Sequence, residues 1–380
     1  MGHGIAQLAA QAGCDVVIRD IKQEFLDSGL RNVRWSLDKL VEKGRMARWQ
    51  ADEAFGRIGT SLDLKSAVAR ADLVIEAIPE DLPLKKETFA ELDEYAPPEA
   101  ILASNTSTMP IEELADATER PQNVVGTHFF NPPQLMRLVE ITPCSKTSPR
   151  VVRAAQDFAK RLGKETVVCR KYVPGFIVNY IMGAMTEAAL LIFEGNEASA
   201  EQIDSALVSK AGFPLGLLAV ADYTGMDVIY GVDKFYEEAG YHRYVSPLVK
   251  KFVLEGRLGA KTGQGFYKWT KGKWPEISPE AGKDFDVTRI VAVGANAAAE
   301  LIRQDVAETE EIDRAVKLGL GYKRGVLELA DEVGLDRILE ALRELNSRYG
   351  EKYTFAPSPL LVDLVRTGRM GKKALAGFYG

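Results

Sequence analysis

The sequence predicts an α/β unit with a parallel, doubly wound sheet, followed by an all-α part, and three observations carry that division. Short apolar runs, Val16-Val17-Ile18, Leu73-Val74-Ile75 and Ile101-Leu102-Ala103, alternate with helical stretches over the first 170 or so residues. Strand–helix alternation of this kind builds a parallel sheet with helices on both faces. From Pro174 onward long apolar helices dominate, as in 178–194, and strand signals nearly vanish. The helical part also repeats itself. Ser246-Pro247-Leu248 returns as Ser358-Pro359-Leu360, Gly256-Arg257-Leu258-Gly259 as Gly368-Arg369-Met370-Gly371, and Gly265-Phe266-Tyr267 as Gly377-Phe378-Tyr379, all at an offset of 112 residues. Upstream, Ile203-Asp204 matches Ile312-Asp313, and Ala221-Asp222 with Gly225 and Asp227 matches Ala330-Asp331 with Gly334 and Asp336, at an offset of 109. One three-residue shift between five matches marks a duplication.

Taken in order, 1–12 reads as a short helix whose small residues Ala6, Ala9 and Ala10 suit close packing on a sheet, ended by Gly13. Val16-Val17-Ile18-Arg19-Asp20 reads as a buried parallel strand ending in a carboxylate. The stretch 24–46 places Phe25, Leu30, Val33, Leu37, Leu40 and Val41 near a period of 3.6, a helix. Strands at 73–77 and 101–104 flank a helix at 83–95. Strands at 124–130 and 137–141 are joined by Asn131-Pro132-Pro133, whose prolines forbid a regular continuation. Gly2 and Asp20 stand where the third glycine and the ribose-binding acid of a Gly-x-Gly-x-x-Gly unit belong, making 1–20 the back half of a Rossmann-like dinucleotide site. Its first strand and first two glycines are missing. The reading therefore expects a short upstream segment of about ten residues supplying them, with Met1 an internal methionine and an open edge beside the strand ending at Asp20. The expected organisation is a dinucleotide-binding domain over 1–172, incomplete at its start, a helical domain over 173–268, a linker over 269–286 and a second helical copy over 287–380.

Composition narrows the function classes. At 380 residues the chain exceeds one ordinary core. A net charge of −6 without a dense Lys/Arg run argues against a nucleic-acid surface. No apolar stretch reaches membrane-spanning length, and no secretory layout precedes the first helix. Cys14, Cys144 and Cys169 are odd in number without metal-ligand spacing, and read as buried thiols of a reducing compartment, the cytoplasm by default.

Three histidines restrict the choice of a general base. His128 ends a strand at the carboxyl edge of the sheet, where ligands bind in such folds. Glu140 follows twelve residues on, within reach across a strand–turn–strand hairpin. A carboxylate against the imidazole stabilises the imidazolium and fixes its tautomer, as a base needs when it takes an alcohol proton while hydride leaves the same carbon. A structural histidine beside an incidental surface Glu has the same spacing, so spacing alone leaves both open. His3 reads as packing at the helix start and His242 as structural or surface. Asp20 accepts hydrogen bonds from both ribose hydroxyls and repels a 2′-phosphate, which favours NAD over NADP. The run Ser104-Asn105-Thr106-Ser107-Thr108 is either a plain turn or a source of hydrogen bonds to a bound carbonyl.

The stretch Gly126-Thr127-His128-Phe129-Phe130-Asn131-Pro132-Pro133, followed by Leu138-Val139-Glu140, resembles the L-3-hydroxyacyl-CoA dehydrogenase family. So, in order, do Val74-Ile75-Glu76-Ala77 with Glu80 and Lys85, Ala103-Ser104-Asn105-Thr106-Ser107, and Pro174-Gly175-Phe176-Ile177-Val178-Asn179. The resemblance covers essentially the whole chain. Its doubled helical domain is similar to the dehydrogenase part of larger fatty-acid oxidation proteins, where an enoyl-CoA hydratase is fused or associated. It implies NAD-dependent oxidation of an L-3-hydroxyacyl-CoA to the 3-ketoacyl-CoA, of the fatty-acid β-oxidation type. His128 is then the base and Glu140 its electrostatic partner, with Ser107 and Asn179 on the substrate oxygen. Gly2, Asp20, Ala77, Glu80, Lys85 and Asn105 line the cofactor, and Ser36, Lys43 and Asn131 meet the substrate, Lys43 neutralising coenzyme A phosphate. The second helical copy implies a pseudo-dimer within one chain with a single active site. The rivals are a dehydrogenase of a small 3-hydroxy acid without coenzyme A and an inactive fragment with an incomplete cofactor site.

Overall fold

The computed structural model describes residues 1–241, 244–270, 273–350 and 352–380, so His242 and part of the expected linker lie outside the described residues. The chain divides into two compact units, Met1–Phe176 and Ile177–Gly380.

The first unit runs α1 (Gly2–Gln11), β1 (Val16–Arg19), α2 (Gln23–Glu42), α3 (Arg48–Gly56), β2 (Ile58–Ser61), α4 (Leu64–Val68), β3 (Leu73–Glu76), α5 (Leu82–Tyr95), β4 (Ile101–Ser104), α6 (Ile111–Ala115), β5 (Val124–Phe129), β6 (Leu138–Thr142), α7 (Pro149–Arg161) and β7 (Glu165–Val168). Five strands form one sheet in the order β3-β4-β5-β6-β7, while β1 and β2 pair in parallel as a separate ladder. Within the five, β3, β4 and β5 are parallel, β5 and β6 antiparallel, and β6 and β7 parallel again. Side chains alternate across a strand, so β4 divides its core between two faces. Ile101 and Ala103 pack with Ile5 and Ala9 of α1 and Val151, Ala155 and Ala159 of α7. Leu102 packs with Phe89 and Leu92 of α5 and Leu114 of α6. Helices on both faces of a mostly parallel sheet make this the doubly wound fold.

Sequence and structure part company at several places in this unit. The expected helix over 24–46 ends at Glu42, and Leu26, Val33 and Leu37 are its buried residues while Phe25 faces solvent, a phase shift of one position at its start. Helices α3, α4, α6 and α7 and strands β2 and β7 were not anticipated. The sheet is not one continuous ladder, since β1 joins only β2. Cys169 is buried, but Cys14 and Cys144 are only half-buried, against the expectation of three buried thiols.

The second unit is helical: α8 (Val178–Glu194), α9 (Ala200–Ala206), α10 (Leu217–Thr224), α11 (Met226–Glu238), α12 (Pro247–Leu254), α13 (Thr288–Arg303), α14 (Thr309–Leu320), α15 (Val326–Val333), α16 (Leu335–Tyr349) and α17 (Pro359–Arg366). Its long apolar helices α8 and α13 lie against one another. A Cβ built on Gly294 of α13 would stand 2.7 Å from Met185 Sδ of α8, so the small residue sets how closely they approach.

The repeated motifs build the same construction twice. Asp204 accepts from Leu218 N, Ala219 N and Tyr267 Oη, and Asp313 from Leu327 N, Glu328 N and Tyr379 Oη. Asp222 accepts from Phe266 N and Tyr267 N, and Asp331 from Phe378 N and Tyr379 N. In each half a buried aspartate caps the next helix, and a second pins the Gly-Phe-Tyr segment. The glycines of the repeat make room for these bonds. Gly259 and Gly371 have φ of 86° and 84°, and a Cβ on Gly259 would meet the Asp222 carbonyl oxygen at 2.0 Å. Gly259→Ala is therefore expected to cost at least about 1–3 kcal/mol, the range for a side chain forced to positive φ, with the backbone overlap added. Urea unfolding of the variant beside the unaltered chain measures it.

Burial raises the Asp204 carboxyl to about 6, overcoming the bonds from Leu218, Ala219 and Tyr267, and the nearby Asp222 charge adds to the rise. A folded-state value above the ordinary one means that this group's stabilisation is full below the unfolded value near 3.8 and is lost as pH rises through about 6. The stability of the unaltered chain relative to Asp204→Asn is thus expected to fall by about 3 kcal/mol between pH 3 and pH 7. Denaturant unfolding of both proteins across that range gives the slope, and a flat difference contradicts it.

Candidate active site at the carboxyl edge of the five-stranded sheet

Antiparallel pairing of β5 with β6 places His128 directly opposite Glu140. Residues directly opposed on neighbouring strands project to the same face, and the pairing closes to a hydrogen bond of 2.7 Å between His128 Nδ1 and Glu140 Oε2. Their side chains are 6% and 0% exposed. An ionised carboxylate only accepts, so Nδ1 carries the proton and donates it, and Nε2 is left with its lone pair. The imidazole is further held by Phe130 and Phe176, whose ring centroids lie 4.4 Å and 5.7 Å away. The dry surroundings strengthen the pair electrostatically. Cys169, buried nearby, has its thiol pushed well above its ordinary value, chiefly by burial and then by the Glu140 charge, and is no nucleophile.

Two loops at the ends of β3 and β4 meet beside this pair. Asn105 Oδ1 accepts from Phe129 N at 3.0 Å, tying the loop after β4 to the residue that follows His128. Ser107 donates to Glu80 Oε1 through both N–H (2.8 Å) and Oγ (3.2 Å). Lys85, in the first turn of α5, is buried, and its ammonium lies 2.7 Å from Glu76 Oε1. Asp81 caps that helix by accepting from Leu84 N, which fixes where Lys85 starts.

The other residues singled out in the sequence sit elsewhere in their units. Gly2 opens α1, and a Cβ built on it would lie 3.8 Å from Ala77 Cβ, so the helix start and the end of β3 are neighbours. His3, in the same turn, has its imidazole held below the ordinary value by burial and then by the adjacent amino terminus. Asp20 follows β1 and accepts from its neighbour Ile21 N at 2.7 Å. Ser36 is half-buried on α2 and Lys43 exposed just past its end. Asn131 is exposed in the β5–β6 turn. Asn179 belongs to the second unit, on the first turn of α8. Sequence reasoning missed the contribution of Glu76, Ser104 and Thr106. A charged residue ending an otherwise apolar strand is the signal that could have found Glu76.

The cofactor test rests on donor chemistry. The first turn of α1 contains no acidic residue and takes no side-chain cap, so the helix start suits a pyrophosphate, and the Asp20 carboxylate after β1 has the acceptor character that ribose hydroxyls need. The residues present fit a dinucleotide.

Comparison with known proteins follows the same lines. The family model described as 3-hydroxyacyl-CoA dehydrogenase, NAD binding domain, matches residues 1–172. The model described as 3-hydroxyacyl-CoA dehydrogenase, C-terminal domain, matches 175–269 and 285–380. The chain is 42% identical over 272 residues to a probable 3-hydroxybutyryl-CoA dehydrogenase of Deinococcus radiodurans, covering 71% of this chain and 96% of that protein. It is 30% identical over 454 residues to the 3-hydroxyadipyl-CoA dehydrogenase of Escherichia coli, covering 95% of this chain and 94% of that one. A crystal structure of 3-hydroxybutyryl-CoA dehydrogenase from Escherichia coli superposes with a TM-score of 0.87 at 28% identity, over 97% of each chain.

Proposed function

The chain belongs to the 3-hydroxyacyl-CoA dehydrogenase family, and from that premise we propose how its residues divide the reaction between them. The activity is NAD-dependent oxidation of a 3-hydroxyacyl-CoA. When bound, NAD supplies the hydride acceptor. His128 Nε2 takes the hydroxyl proton, and Glu140 holds the imidazole by Nδ1 and balances the charge that develops on it. Ser107 orients the substrate oxygen from the loop that Glu80 fixes, and Asn179 is assigned to the same oxygen on its motif alone. Gly2, Asp20, Ala77, Glu80 and Asn105 are assigned to the cofactor, Ser36, Lys43 and Asn131 to the substrate. The observation that carries the reading is the buried 2.7 Å His128–Glu140 bond at the carboxyl edge of the sheet. The relatives' names support short acyl groups, a 3-hydroxybutyryl or a 3-hydroxyadipyl chain. NADH consumption with acetoacetyl-CoA, run beside free acetoacetate, tests it. Reduction of the thioester alone is expected, and equal rates on the free acid overturn the coenzyme A reading.

The matching aspartate and glycine constructions in 175–269 and 285–380 support a second helical copy that packs on the first as a second subunit does in a dimer. Only the first copy follows a dinucleotide-binding domain, so one NAD is expected per chain. Calorimetric titration reading two equivalents overturns that.

A further inference from the structure

We infer that Glu76, which the proposed chemistry does not use, is a positioning residue that ties the cofactor-side loop 77–81 to the substrate-side loop 105–109, acting through Lys85 and Glu80. The inference deepens the reading of Ser107 and Glu80 given above and rests on it. Glu76 ends β3 with its side chain 1% exposed. Its Oε1 accepts from Ile78 N at 2.6 Å and from Lys85 Nζ at 2.7 Å, its Oε2 accepts from Ser104 Oγ at 2.7 Å, and its backbone carbonyl accepts from Asn105 N at 2.8 Å. Each partner lies at the end of β4, in one of the two loops, or on the helix that follows the first. A fully buried ion pair is a poor device for stability, because desolvation offsets its attraction. As a device for fixing geometry it is effective, since its bonds are directional and its surroundings dry.

The ammonium transmits the constraint. Lys85 Nζ donates to Glu76 Oε1 and to the Ile78 carbonyl at 3.3 Å, and Glu80 Oε2 stands 3.4 Å away as a second ion-pair partner. It is 1% exposed, and in this inference it works through Glu80. Of the three charged groups only Glu80 reaches solvent, with its side chain 37% exposed. Glu80 accepts from Ser107 N, Ser107 Oγ and, at 3.0 Å, Thr106 Oγ1. One cation thus stands between two carboxylates. That cation holds Glu80 beneath Ser107, and with both buried charges removed Glu80 loses its anchor, so the serine hydroxyl depends on a residue three contacts away.

The test is the double variant Glu76→Gln/Lys85→Met, which removes both buried charges at nearly constant volume, combined in a cycle with Ser107→Ala. The double variant is expected to melt near the unaltered protein, to bind NAD about tenfold more weakly by direct titration, and to make Ser107→Ala cost about tenfold less in kcat than it does in the unaltered background. A stable double variant with NAD affinity within twofold of the unaltered protein, or additivity with Ser107→Ala, overturns the inference. If the double variant does not fold, Ser104→Ala decides, since it deletes the hydrogen bond to Glu76 Oε2 together with the one that Ser104 Oγ accepts from Thr106 N, both within the proposed tie. A severalfold loss of NAD affinity supports the inference and unchanged affinity overturns it. Direct NAD titration separates this result from failure of the dehydrogenase reading, which shows instead as absent acetoacetyl-CoA turnover in the unaltered protein.

Discussion

Replacing His128 by Gln is expected to lower kcat for 3-hydroxyacyl-CoA oxidation by about three to four decades, the upper part of the range for a general acid–base group. The structure leaves Nε2 as the proton acceptor, because Nδ1 is committed to Glu140 at 2.7 Å. Glutamine has nearly the same reach and its amide can donate to the same carboxylate, so the buried Glu140 keeps a partner and the fold is expected to survive. Its amide cannot take a proton at neutral pH, so the substrate hydroxyl loses its base. NAD affinity should change little, since the residues assigned to the cofactor are untouched. The measurement is initial-rate NADH formation at saturating substrates, with NAD binding followed separately. A kcat within tenfold of the unaltered protein removes His128 from the mechanism.

How far the sequence disclosed this arrangement depends on what each signal physically determines. Asn131-Pro132-Pro133 between two apolar runs identifies a hairpin, because proline interrupts the ladder on both sides. The hairpin brought His128 and Glu140 within reach, but register decides the contact. A slip of one residue sends a side chain to the opposite face, and only the observed pairing of Gly126 with Thr142 and Phe129 with Val139 sets it. The unanticipated elements share a weak pattern. Ile58–Ser61 has one apolar residue in four and is a strand because β1 lies beside it. Glu165–Val168 is short and begins with charge, and β6 supplies its ladder. The shift from Phe25 to Leu26 has the same origin: adjacent apolar residues leave the phase of a helix open until a neighbour chooses one.

The recurring motifs were legible as repeated letters, and the physical reason for their glycines was not. Gly216 and Gly325 recur because a Cβ on either would stand within about 2 Å of the buried side chains of Asp204 and Asp313. The glycines belong to the aspartates, which belong to the helices they cap. Glu76 was legible only as part of a familiar stretch. A lone carboxylate at a strand end has no partner in the sequence, and its lysine, nine residues on, is brought back by the turn into α5.

Glu140→Gln is expected to lower kcat by about two to three decades while leaving NAD affinity within about twofold. Size and shape are kept, so the effect comes from two electronic changes. The negative charge that balances the developing imidazolium is gone, in a site where both side chains are almost wholly buried and where charge is poorly screened. The amide can also present its NH2 to Nδ1, and that bond requires Nδ1 to accept, which moves the imidazole proton to Nε2. In that tautomer the ring nitrogen facing the substrate carries a proton and cannot remove one. The aromatic contacts of Phe130 and Phe176 still hold the ring, so its position should persist while its function is lost. Glu140→Asp separates charge from placement: it restores the charge but shortens the reach by one methylene, and partial recovery is expected. Steady-state kinetics of the two variants, with thermal unfolding as the control for folding, give the comparison. A Gln variant within tenfold of the unaltered kcat shows that the carboxylate does no more than fill space beneath the histidine.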